Sequence, residues 1–258
     1  MIVASTFFAL LSARQDHVKP PTLPGFKLGQ RVVKEFPENG GYQVFQKGGK
    51  LKVLTRVEWV RQQRAKPRFH APKGSVNVKE SGYRATFVPG AGIKVVEGEL
   101  YDVDIGEWGG GIYFVSNSRK TATKISSRNT EILEQFADGI YAFQSLHHMM
   151  FFYAELVKVD FVGGKWVVRT VLSLKEAPNS VNRDGDRFVL LMDKALLAIY
   201  PDGKQRELFN LGSIKNHYWC MTILSNHQIW LGGDAGVAAF VPRLDGTYEH
   251  FSYIPTKP

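Results

Sequence analysis

The residues with the densest capacity for chemistry are the acidic run Asp102-Val103-Asp104-Ile105-Gly106-Glu107 and the Trp108 that follows it. Oxygen ligands at alternate positions beside a glycine can wrap a Ca2+ ion. The full calcium loop also needs a further oxygen ligand two residues on and a closing glutamate, and neither is in place. Alternation along a strand sends Asp102 and Asp104 to one face, where two carboxylates also simply meet water. Glycoside hydrolysis needs a pair of carboxyl groups of unequal pKa. Asp102, Asp104, Glu107, Glu155 and Asp234 could supply one, but their spacing fixes no pair. Trp108, Trp219 and Trp230 offer ring faces that serve a sugar or a packed core equally well.

The histidines and the cysteine come next. His147 and His148 are adjacent, so on a strand they point opposite ways and cannot share one ion without a bend. His148 is a ligand-binding candidate together with Asp102, Asp104, Glu107 and Trp108; His217 and His227 lie elsewhere and could approach it. No His or Cys spacing fits a zinc site, so no cofactor is expected, with Ca2+ the one ion that has any pattern behind it. Cys220 is the only cysteine, which excludes an intrachain disulfide, and beside Trp219 it reads as buried and inert. Asp184-Gly185-Asp186 reads as a turn. Gly109-Gly110-Gly111 lacks the Lys-Ser/Thr of a phosphate-cradling loop.

Charge is concentrated rather than spread. Of the 33 Lys and Arg residues, eleven lie between Gln46 and Arg84 with only Glu58 and Glu80 against them, so this segment alone carries the net +9 of the chain. Aromatic residues interleave with it: Tyr42, Phe45, Trp59, Phe69 and Tyr83. Such a field attracts acidic partners. An acidic protein partner is the expectation, met by Lys47, Lys50, Arg56, Trp59, Arg61, Arg64, Arg68 and Lys73. Stacking on single-stranded nucleic acid is the weaker alternative, and a solvated surface excursion is the plain one.

The elements that must position these residues are short strands. Arg84–Val88, Ile93–Val96, Leu100–Val103, Ile112–Val115, Thr121–Ile125, Glu131–Phe136 and Ile140–Phe143 follow in turn, and Tyr153–Phe161, Trp166–Leu172, Arg206–Phe209, Cys220–Leu224 and Tyr248–Tyr253 complete the series. Arg31–Phe36 and Tyr42–Phe45 precede them, whereas Val57–Arg64 decides nothing between helix and strand. Asp-Gly turns at Asp184, Asp202 and Asp245 permit the positive φ of tight hairpins. No long helical periodicity competes.

Two strand pairs repeat. Phe188–Met192 is followed at eight residues by Leu196–Ile199, and Ile229–Gly232 at eight residues by Val237–Phe240; both offsets between the pairs are 41 residues. A period of that size is the mark of blades around an axis. Ile132 and Ile140 share the eight-residue offset, and Gly139–Phe143 echoes Gly236–Phe240. Phe188–Phe209, with its Pro201-Asp202-Gly203-Lys204 turn, resembles the generic blade of bacterial β-propellers; Ile229–Val237 is similar to the same unit. The resemblance implies an all-β propeller of five blades, with six as the alternative. It names no functional family, and the Gly-His and Trp-Asp signatures of WD40 blades are absent.

Residues 26–258 are therefore expected as one propeller domain with a basic loop inserted near 55–80. Residues 1–25 read as a signal-like apolar segment, Ile2–Leu11, and a proline-rich connector. That suggests a periplasmic or secreted protein, with a cytoplasmic one as the alternative. No stretch is long and apolar enough to span a membrane. The functional expectation is a non-catalytic binding propeller that recognises a protein partner through its loops, of the inhibitor or immunity type. The alternative is a carbohydrate-binding or glycoside-hydrolysing propeller.

Overall fold

The computed structural model describes residues 18–29, 40–65, 71–80, 82–105, 109–148, 151–214 and 216–256. The expected strand at Arg31–Phe36, the signal-like segment Ile2–Leu11, and Arg68, Glu107 and Trp108 lie outside these residues; for His147 and His148 only the backbone is described. The architecture is all-β, in several small antiparallel sheets.

A short strand, β1 (Phe26–Leu28), comes first. A hairpin, β2 (Tyr42–Lys47) and β3 (Lys50–Thr55), leads into helix α1 (Arg56–Arg64). A second hairpin follows, β4 (Val76–Glu80) and β5 (Tyr83–Phe87). Three four-stranded meanders come next. The first is β6 (Ile93–Val95), β7 (Gly98–Asp104), β8 (Gly110–Ser116) and β9 (Ala122–Ser126). The second is β10 (Thr130–Phe136), β11 (Gly139–His148), β12 (Phe151–Val162) and β13 (Lys165–Leu174). The third is β14 (Ser180–Asp184), β15 (Arg187–Leu191), β16 (Ala195–Ile199) and β17 (Gln205–Asn210). The last sheet, β18 (Tyr218–Ile223), β19 (Ile229–Gly233), β20 (Val237–Pro242) and β21 (Tyr248–Pro255), takes β1 onto its outer edge beside β21.

The sheets stack face to face, with one apolar cluster between each neighbouring pair. β15 shows why. Val189 and Leu191 face the last sheet with Ile229, Leu231 and Phe240. Phe188 and Leu190 alternate to the other face and pack on Phe143 and Leu156 of the second meander. Leu100 and Ile112 meet Leu133, Ala142 and Val157 across the next gap. Tyr42 and Val44 of the first hairpin lie on Trp230, Val237 and Tyr253, and Val76 and Phe87 of the second hairpin lie on Tyr101 and Tyr113. Central strands are thus buried on both faces, so they read as continuous apolar runs. At Gly232 the approach is so close that an added Cβ would sit 2.2 Å from the Tyr42 carbonyl oxygen.

A polar clasp holds the second hairpin. Arg119 donates from Nη1 to Glu99 at 2.8 Å, from Nη2 to the Phe87 carbonyl at 3.0 Å and from Nε to the Gly74 carbonyl at 2.6 Å. Burial disfavours the Glu99 charge, but hydrogen bonds from Tyr101, the Gly90 amide and Arg119 outweigh it and hold the carboxyl below its ordinary range.

Two details differ from expectation. The 41-residue repeat matches β15–β16 to β19–β20, the second and third strands of their sheets. The echo of Gly139–Phe143 with Gly236–Phe240, by contrast, pairs a second strand with a third and is no repeat equivalence. The segment near 55–80 is also not a plain basic loop. It contains helix α1 and strand β4. Thr55 caps the helix through a capping box: its Oγ1 accepts from the Glu58 amide at 3.2 Å, while the Glu58 carboxylate accepts from the Thr55 amide at 2.9 Å.

Leu190→Ala empties a closed site between β15 and the second meander. Chemical denaturation is expected to show a loss of about 2–5 kcal/mol; a loss below about 1 kcal/mol would contradict the burial of that face of β15.

Candidate functional site

Strands of neighbouring sheets run beside one another: β7, the second strand of the first meander, and β14 both touch β10, and β14 touches β18. Along these contacts the acidic residues gather. Asp102 and Asp104 alternate outward on β7 between buried Tyr101 and Val103. Glu131 and Glu134 come to them from β10. A β-bulge between Thr130 and Ile132 leaves Glu131 outside the regular pairing. Glu134 accepts an ion pair from Arg183 of β14 at 3.0 Å, and the Arg183 guanidinium also lies 4.6 Å from the centre of the Phe136 ring. A row of charge therefore crosses three successive sheets.

The electrostatics follow from crowding. Asp102 has an open side-chain surface, yet the protein around it withdraws bulk water and pushes its carboxyl up, with Glu134 and Asp104 adding like charge. Glu131 is more enclosed. Burial is the main cause, and with the Asp104 charge it outweighs a hydrogen bond from the Ser145 hydroxyl, so that its pKa is pushed up to about 7. A buried polar knot supports that corner. Asn129 Oδ1 accepts from the Ile105 amide at 3.1 Å, its Nδ2 donates to the Ser145 carbonyl at 3.1 Å, and its own amide donates to the Tyr153 hydroxyl at 2.8 Å. Gln144 Nε2 donates to Thr130 Oγ1 at 2.9 Å and to the Arg128 carbonyl at 3.1 Å.

The expected residues thus distribute unevenly. Asp102 and Asp104 share one face, as alternation requires, but their neighbours are Glu131 and Glu134, which sequence reasoning did not single out. Glu155 is engaged by Arg128. Asp234 accepts from Trp219 Nε1 at 3.1 Å and lies 3.5 Å from His217 Nδ1. Neither is placed as a catalytic partner of Asp102. Trp230 is core, at 2% exposure, and Trp219 is half-buried. His217 and His227 go to different carboxylates: His227 Nδ1 is 2.5 Å from Asp184 Oδ1. Asp184 is more than a turn residue. It is buried and takes two bonds from Arg187, whose Nη2 also reaches the Tyr248 hydroxyl at 3.0 Å, tying the third meander to the last sheet. Cys220 is buried against the Tyr42 and Gly232 carbonyls, and burial pushes its thiol up to about 11. Among the described residues no group of three or more His, Cys, Asp or Glu side chains is placed to hold a metal ion.

The basic segment has its own geometry. Period-two alternation divides the first hairpin: Tyr42, Val44, Leu51 and Val53 pack on the last sheet, while Phe45 and Lys47 with their cross-strand partners Lys52 and Lys50 point the other way. Helix α1 buries none of its residues. Lys47, Lys50, Lys52, Arg61, Arg64 and Lys73 are exposed, and none forms an ion pair with another described residue. Arg56 differs, because its guanidinium stacks over Trp219 at 5.2 Å. Trp59 is half-buried.

No protein-family model and no curated protein matches this chain. Among the described residues no helix is long and apolar enough to cross a membrane.

Two outcomes test this geometry. Glu131 holds its proton more tightly folded, near 7, than at its ordinary 4.5. The stability it lends is full below pH 4.5 and is lost as pH rises through 7, on the order of 3 kcal/mol in all. Glu131→Gln is expected to flatten that part of the stability–pH curve; an unchanged slope between pH 5 and 7 would refute the assignment. Cys220 is expected to resist alkylation at pH 8 in the native protein and to react at once in denaturant; rapid native labelling would contradict its burial.

Proposed function

We propose that the sheets close into a five-bladed β-propeller that binds an acidic protein partner through its basic hairpin and helix, without catalysis. The closure rests on who packs against whom. The three meanders and the last sheet supply four blades in series. The β2–β3 hairpin lies on the last sheet and the β4–β5 hairpin on the first meander, at the two ends of that series. The two hairpins together make the fifth blade, split by α1. β1, added beside β21, fastens the early part of the chain to the last blade.

The binding reading is carried by one observation: Lys47, Lys50 and Lys52 of the first hairpin and Arg61 and Arg64 of α1 are held on ordered backbone, exposed, and in no ion pair with another described residue. Charges that neutralise one another within a fold add little to recognition, whereas a fixed field of one sign steers an oppositely charged surface into register. Such a protein fits the role of an inhibitor or immunity factor whose basic projection covers an acidic cleft. An exported setting agrees with the apolar segment Ile2–Leu11.

The test is capture from native extract and culture medium by the tagged full chain. Reversing Lys47, Arg61 and Arg64 to Glu is expected to lower partner recovery about tenfold at low salt, as is added salt for the wild type. Equal recovery by both forms would rule the projection out.

A second reading is favoured by the carboxylates of β7 and β10. Glu131 keeps its proton near neutral pH and feels the Asp104 charge, and an acid beside a carboxylate is the pairing that glycosidic bond cleavage uses. A glycan array with turnover assays on Glu131→Gln and Asp104→Asn separates the two readings. No bound glycan and no cleavage would remove this one.

A further inference from the structure

A groove separates the outward face of the first hairpin from the last turns of α1. It encloses about 620 Å3 and is lined by Phe45, Gln46, Lys47, Lys52, Leu54, Gln62 and Gln63. Its chemistry is ordered in three zones. Phe45 and Leu54 form an apolar floor, both half-buried. Lys47 and Lys52 stand over that floor; Lys52 is the cross-strand partner of Phe45, so ring and ammonium lie side by side on one face. Gln62 and Gln63 of α1 supply amide groups that both donate and accept hydrogen bonds.

The walls are held from both sides. Val44 and Val53 anchor the hairpin to the last sheet through its other face. The capping box at Thr55–Glu58 and the bond from the Arg56 amide to the Gly41 carbonyl at 2.9 Å fix where the helix starts. The groove is therefore present before any ligand arrives, which lowers the ordering cost of binding.

We infer that this groove is the recognition site for an extended acidic segment of the partner, one that places an apolar side chain on Phe45 and Leu54 and flanking carboxylates on Lys47 and Lys52. The inference rests on the binding reading above and makes it specific. Charge complementarity selects the sign of the occupant. The apolar floor selects a peptide with an anchor side chain over a bare polyanion, whose phosphates would gain nothing from Leu54. The glutamine amides match the alternating N–H and C=O groups of an extended backbone.

The probe is a fluorescein-labelled acidic peptide of about ten residues, enough to cross the groove when extended, with one central phenylalanine; a second peptide carries alanine there. Anisotropy titration of the full chain is expected to show the phenylalanine peptide binding about tenfold more tightly than the alanine one, a difference of about 1.4 kcal/mol. Leu54→Asp should abolish that preference, and Lys52→Glu should weaken both peptides. Arg61→Glu with Arg64→Glu, outside the groove, should leave the preference intact. If both peptides bind equally, and only the helix reversals weaken them, the groove assignment fails while the general basic-surface reading stands. If neither peptide binds and no reversal alters partner capture, both fail. Circular dichroism and melting of each variant separate loss of binding from loss of fold; should Leu54→Asp unfold the chain, Leu54→Ala carries the same comparison.

Discussion

Burial of central strands on both faces is the constraint from which the rest follows. Each sheet has so few strands that it cannot form a core alone, and its apolar residues become useful only when another sheet covers each side. Phe188, Leu190, Leu196 and Ile199 are fully buried in a sheet of four strands because both neighbours supply matching layers. Removing water from both faces also favours pairing of the polar groups inside the stack, although Trp166 Nε1 and Trp230 Nε1 find no partner among the described residues. Asn129, Gln144 and Asp184 are buried, and each satisfies several partners.

Where neighbouring sheets converge, this packing has a chemical consequence. Backbone from β7, β10 and β14 comes close, so side chains at their edges are forced into one another's fields. Asp102, Glu131 and Glu134 would be unremarkable on separate surface strands. Together, with less water around them, burial and the charges of Glu134 and Asp104 raise the Asp102 carboxyl, and burial with the Asp104 charge raises that of Glu131. The first hairpin and α1 present the converse. They pack on the stack with one side only, so Lys47, Lys50, Lys52, Arg61 and Arg64 stay exposed to water.

Much of the fold was legible from alternation and turn chemistry, because strands covered on both sides leave continuous apolar runs and Asp-Gly turns mark their ends. Phe188–Ile199 and Ile229–Phe240 were readable for that reason. Helix α1 was not, although Thr55 and Glu58 spell a capping box, because Arg56–Arg64 has no apolar stripe and local hydrogen bonds, not burial, hold it. The acidic row was half legible. Asp102 and Asp104 follow strand alternation, whereas Glu131 sits at a bulge, and a bulge is invisible to a period-two count. The role of Asp184 was hidden differently: its partner His227 is 43 positions away, the Arg187 that bonds it reaches Tyr248 across 61 positions, and no local pattern joins them.

The seam between β1 and β21 has a kinetic consequence. Phe26 pairs with Pro255, and the Tyr253 hydroxyl donates to the Pro21 carbonyl at 2.6 Å across 232 positions of sequence. Contacts of such separation form only after the intervening chain has collapsed, because the entropy of closing so long a loop is repaid late. During synthesis the early strand must therefore wait, its edge unsatisfied, until the final strand has left the ribosome.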